Sequence, residues 1–255
     1  MRISAIVVTV LWLTAQTARA QETPTAKQFQ TLLHQYEQDG GIRTFAKRFL
    51  TLAEDNPRDL ASVDALLWVV KKVRGRSDTT RALELMIMHH AHSDKLNSAC
   101  PSIAGSRSIA AKRLLRAVLA KHSNRQTRSQ ACYHLAVLLD KEANVIEQLK
   151  TEPELTPRIL QYYGREYGKH LVSRNPVELA KQREDVYALM LKSFSDIKIV
   201  DTTMGKVATR ALFGIRHLSV GKLAPEITGQ DIHSEPIQLS DYRGKVIMLS
   251  FWGHW

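Results

Sequence analysis

The stretch Val220–Trp255, VGKLAPEITGQDIHSEPIQLSDYRGKVIMLSFWGHW, carries the densest ordered pattern in the chain. Gly221, Ala224-Pro225 and Gly229-x-Asp231 punctuate its first half. The span from Ala224 to Leu239 reads as a hairpin-like lead-in, with Gly and Asp marking its turn. Asp241 to Gly244 is a polar turn that feeds a strand. Val246-Ile247-Met248-Leu249 is nearly unbroken apolar sequence, which suits a central strand covered on both faces. It runs directly into Phe251-Trp252-Gly253-His254-Trp255.

This order of motifs resembles the periplasmic redoxin family, meaning thioredoxin-like thiol-disulfide oxidoreductases and the alkyl hydroperoxide reductase/thiol-specific antioxidant group. In that family the Phe-Trp-x-x-Trp end of the first central strand is followed by a Cys-x-x-Cys pair. The resemblance therefore implies that the nucleophilic cysteine would come just after Trp255. Phe251, Trp252, Gly253, His254 and Trp255 become active-site-flanking residues, with Trp255 shielding one side of the sulfur. Ser234 stands where the family usually has Gly in the hairpin turn, and a Ser still makes that turn. No dithiol, following helix or cis-proline loop lies within 218–255. The expectation is the N-terminal part of an incomplete thioredoxin-like α/β domain, inactive without its dithiol. The implied substrate of a completed domain is a protein disulfide or a peroxide, and no cofactor is implied.

At the other end, residues 1–20 read as a secretory signal peptide. Arg2 is the charged start, Ile3 to Leu13 the apolar run, and Ala18-Arg19-Ala20 the cleavage site. The apolar run is short for a bilayer span, and no cysteine follows the cleavage site to take a lipid anchor. An uncleaved anchor is the alternative. The chain is expected to be secreted or periplasmic, to begin near Gln21 and to have no stable membrane anchor, in a compartment that permits disulfides.

Composition bounds the remainder. Forty-four per cent hydrophobic residues suffice for a sizeable core. The formal charge is +11. The basic residues are dispersed, as Lys47-Arg48, Lys71-Lys72 and Arg74 illustrate, and no aromatic-interleaved basic stripe occurs. No nucleic-acid partner is expected. An acidic surface is the more reachable partner for a secreted basic chain.

Between these ends, residues 21–217 read as helix after helix. Expected helices span 28–38, 42–54, 60–73, 79–91, 109–121, 128–147, 157–171, 176–194 and 205–216. Gly40-Gly41 and Asp55-Asn56-Pro57 are stop signals, and Pro157 and Pro176 open their helices where a missing donor costs nothing. Helices of this length joined by short turns predict a mainly α chain, a helical array of antiparallel pairs. The residue pattern of a 34-residue tetratricopeptide repeat is absent. This order of elements also resembles the helical region that precedes the redoxin domain in some secreted family members.

Cys100 and Cys132 are the two cysteines. Cys100 is read in a helix-to-helix connection before Pro101, and Cys132 on an apolar helix face. An even count in a secreted chain favours a disulfide between them, two independent buried thiols being the alternative. Met86, His89 and His90 share a helical face, with His92 displaced. Copper would suit such ligands, but a helix C-terminus with Met86 packed inward is the preferred reading. No metal site is therefore assigned. Tyr162, Tyr163 and Tyr167 read as packing aromatics, or else as a ligand platform. No Gly-x-Ser-x-Gly, phosphate-binding Gly loop, His-Glu-x-x-His or Cys-x-x-Cys occurs, so a serine hydrolase or metalloenzyme is not supported. Two readings remain for the function. One is the thiol-disulfide redoxin; the other is a non-enzymatic helical module of the cell envelope with a protein partner.

Overall fold

The computed structural model describes residues 23–73 and 77–253. The expected signal peptide lies outside the described residues. Among the described residues, eleven α-helices form the bulk of the fold: α1 (Pro24–Asp39), α2 (Ile42–Asp55), α3 (Leu60–Lys72), α4 (Ser77–His89), α5 (Leu96–Ala104), α6 (Ile109–Lys121), α7 (Arg125–Thr151), α8 (Thr156–Tyr163), α9 (Arg165–Val172), α10 (Pro176–Phe194) and α11 (Met204–His217).

Local chemistry sets the helix starts. The side chains of Thr23, Asp59, Ser108, Asn124, Asn175 and Thr203 each accept a backbone N–H from the first turn of the helix they precede. Asn124 and Asn175 each take two, which anchors the long helices α7 and α10. Pro24 and Pro176 sit in first turns, as their missing donors allow.

Two corrections concern Pro and Gly. The stretch around Cys100 is not a connection but helix α5, with Pro101 inside it. Burial of Leu96, Ala99, Cys100 and Ile103 outweighs the lost hydrogen bond there. The single helix expected over 157–171 is broken at Gly164 into α8 and α9. Gly164 holds φ 83° and ψ 156°, a conformation essentially reserved for glycine. A β-carbon on Gly168 would fall 2.9 Å from the Leu160 Cα, so this second glycine lets α9 lie close against α8.

The helices pack largely in sequence order, α1 with α2 and α3, α3 with α4, and α10 with α11. α6 bridges α4 and α7, and α7 is the common support of α5, α6, α9 and α10. One apolar core runs from Phe29 to Leu212. Its N-terminal end is aromatic: the Phe49 and Trp68 ring centres lie 4.5 Å apart, and Tyr36 meets Trp68 edge-on at 4.8 Å. A smaller cluster of Val145, Tyr167 and Leu171 lies where α9 meets α7. Among the described residues no helix is long and apolar enough to cross a membrane.

Two small antiparallel hairpins complete the described residues. β1 (Lys198–Ile199) pairs with β2 (Thr202–Thr203) just before α11, an element the sequence reading lacked. β3 (Thr228–Gln230) pairs with β4 (Pro236–Gln238) inside the expected lead-in. The Asp231 carboxylate organises the β3–β4 turn by accepting the N–H groups of His233 and Glu235. Ser234 adopts φ 67°, the left-handed conformation that glycine takes most easily. A 3-10 turn, Leu239–Tyr242, follows.

The expected central strand at Val246–Leu249 is not formed. Residues 246–253 adopt no regular secondary structure and have no ladder partner among the described residues. A central strand exists by virtue of neighbours on both edges, and these residues have none. The architecture is therefore mainly helical with two hairpins.

Candidate functional site

Phe251 and Trp252, expected to flank an active site, are 85% and 88% exposed. Gly253 is exposed beside them. His254 and Trp255 lie outside the described residues. The preceding run still alternates in the manner of a strand. Val246 and Met248 are 105% and 93% exposed, whereas Ile247 and Leu249 fall to 40% and 50%. Ile247 and Leu249 line an apolar cleft with Ile227, Ile237 and Leu239 of the hairpin. The Glu226 carboxylate fastens this unit by accepting from the backbone of Ile227 and Ser240. Hydrogen bonds from Ser240 hold the Glu226 carboxyl below the usual range despite its exposure.

The expected disulfide is absent. Cys100 and Cys132 are free, fully buried thiols. Each is engaged separately, Cys100 Sγ donating to the Leu96 carbonyl and Cys132 Sγ to that of Val186. Burial pushes both thiols up to about 12, so neither offers a thiolate nucleophile near neutrality. Met86, His89 and His90 do not converge either. Met86 is in the core, His90 is buried with its pKa lowered by burial, and His89 and His92 face solvent.

The described residues bring another group together around α7. Lys112 of α6 and Glu142 of α7 are both buried. The Lys112 ammonium donates to both Glu142 oxygens, at 2.9 and 3.1 Å. The Tyr167 hydroxyl donates to Glu142 Oε1 at 2.8 Å. Arg174 Nε stands 3.1 Å from Glu142 Oε2, but its N–H is not aligned for a hydrogen bond, so this contact is an ion pair only. Lys112 also lies 2.8 Å from His170 Nε2. With an ammonium donor, that nitrogen accepts and the imidazole is neutral. Burial, then the Lys112 charge, lowers the His170 pKa accordingly. Burial likewise pulls Lys112 below the ordinary lysine value, against the opposing attraction of Glu142. Tyr167 is raised, by burial first and then by the Glu142 charge.

Over this network opens a cavity of about 310 Å³. Its apolar walls are Leu138, Val145 and Leu171, and its aromatic walls are Tyr162, Tyr163 and Tyr167. The Tyr162 and Tyr163 rings meet edge-on at 4.9 Å. Arg107, on the turn between α5 and α6, closes the rim. Its guanidinium lies 3.9 Å from the Tyr162 ring centre and donates to the Tyr162 carbonyl at 2.7 Å. Arg107 itself holds φ 57°, an uncommon conformation for a long side chain. The break at Gly164 and the close approach at Gly168 present the tyrosines of α8 and α9 to this cavity. The adjacent tyrosines were read first as packing aromatics, with a ligand platform only as the alternative, and Arg107, Lys112 and Glu142 carried no distinguishing local pattern.

Comparison with protein-family profiles, curated proteins and solved structures returned no match for this chain.

Proposed function

We propose that this chain joins a helical region to the opening of a thioredoxin-like domain of a secreted redoxin, acting in thiol-disulfide exchange or peroxide reduction. The observation that supports this reading is the order within 226–253. A hairpin with an Asp-organised turn leads through a capped 3-10 turn into an unpaired apolar run of alternating exposure. The Cys100 and Cys132 thiols are too buried and too weakly acidic to serve as nucleophile. The reactive pair in this reading is a Cys-x-x-Cys following Trp255. Its first cysteine would sit at a helix N-terminus, where exposed amides stabilise the thiolate. That thiolate attacks one sulfur of a substrate disulfide and expels the other as thiolate. The second cysteine then attacks the mixed disulfide, releasing reduced substrate and leaving the enzyme oxidised.

The coding sequence after the Trp255 codon and an insulin-reduction assay of the natural protein test this together. In-frame Cys-x-x-Cys codons, and catalysis abolished by replacing the first of those cysteines with Ser, are expected. A stop codon directly after Trp255, or insulin reduction no faster than the uncatalysed rate, would overturn it.

A further inference from the structure

We propose that the cavity between the α5–α6 turn, α7 and the α8–α9 pair binds a small aromatic anion, a single ring bearing a carboxylate or phosphate. This proposal is independent of the redoxin reading, because it uses no residue beyond Arg174.

Three properties of the cavity point to that class. Its volume, about 310 Å³, is at the lower end for small-molecule sites and suits a molecule of one ring plus a charged group. Its walls are three tyrosine rings and three aliphatic side chains, which favour a flat apolar body. Its charge is unbalanced. Glu142 also lines the cavity, but it already accepts from Lys112 and the Tyr167 hydroxyl and is ion-paired with Arg174, so its charge is compensated inside the network. Arg107 and Lys141 stand at the rim with no ion-pair partner among the described residues. Lys112 and Arg174 behind the wall exceed Glu142 by one charge. The polar groups offered to a ligand are thus chiefly donors and cations, which call for an anionic acceptor.

Arg107 supplies the further argument. Its left-handed backbone is disfavoured for arginine, yet its guanidinium is stacked on Tyr162 and tied to the Tyr162 carbonyl. A strained residue with its head group held in place at a cavity rim is a recurrent feature of ligand clamps. The stacked guanidinium keeps further N–H groups to fork onto a carboxylate or phosphate, while Tyr163 and Tyr167 contact the ring.

The test uses the full chain with phenyl phosphate and phenylacetate as probes, followed by calorimetry and ligand-observed NMR. Phenol supplies the ring without the charge, and inorganic phosphate and acetate the charge without the ring. Saturable binding of at least one aromatic anion, with Kd below about 1 mM and at least tenfold tighter than the controls, is expected. Arg107→Gln should weaken it at least tenfold, and Lys141→Gln, on an exposed side chain, severalfold. Arg107→Gly should abolish binding while leaving the melting temperature unchanged or raised, because glycine relieves the backbone strain. A melting temperature that falls in the Arg107 variants leaves Lys141→Gln as the deciding variant. Neither probe binding up to about 10 mM, phenol binding as tightly as phenyl phosphate, or Lys141→Gln leaving affinity unchanged would each overturn the proposal.

Discussion

Glu142 shows how one side chain constrains several helices. Its carboxylate is 2% exposed and holds Lys112 of α6 and Tyr167 of α9, with Arg174 just beyond α9. Glu142→Gln keeps the shape but leaves two cations without their anion. The expected cost is about 3–5 kcal/mol, the range for breaking a buried pair from one side. Urea unfolding reads it directly. Adding Lys112→Met to Glu142→Gln should recover much of that loss, since an uncharged pair of similar volume needs no counterion. A loss below about 1 kcal/mol for Glu142→Gln would mean that water reaches the pair and screens it. This network was not legible beforehand. Lys112 lies among Ala110, Leu114 and Val118 as one polar letter on an apolar stripe, and its partner is thirty positions away. Periodicity reports that a position is buried, but not which distant charge meets it there.

At the scale of elements, legibility followed the chemistry of the termini. Residues 176–194 were read with the observed bounds because Asn175 and Pro176 declare the start. α5 was missed because Pro101 signals a break, and tertiary burial overrode that signal. The α8–α9 break was missed for the converse reason: Gly164 sits in an otherwise helical pattern, where one glycine is tolerated. Its backbone conformation makes the break obligatory, so Gly164→Ala is expected to cost about 1–3 kcal/mol. Thermal unfolding would measure that loss, and a variant as stable as the parent would mean that α8 and α9 can fuse. The lead-in hairpin was legible down to its turn. The unpaired run after it was not, because an apolar sequence describes the strand but not the neighbours it needs.

For the whole molecule, the array is continuous from α1 to α11, and the residues after it are built differently. Leu218, Val220 and Leu223 are 64%, 101% and 87% exposed, and Lys222 among them is open to protease. Brief trypsin treatment is expected to cut near Lys222 and leave a helical fragment with undiminished far-ultraviolet ellipticity. Protection of Lys222 for as long as the helices resist would show that the linker is held. The buried pair at α7 also has a consequence for the order in which the chain is made. Lys112 leaves the ribosome before Glu142, but Arg174 follows thirty-two residues later. At about 5–20 residues per second, Glu142 waits roughly 2–6 s with a single cation in reach. The middle of the array therefore completes its network only after α9 has emerged, so synthesis slowed across that interval would prolong exposure of an α7 whose buried pair still lacks Tyr167 and Arg174 to aggregation and proteolysis.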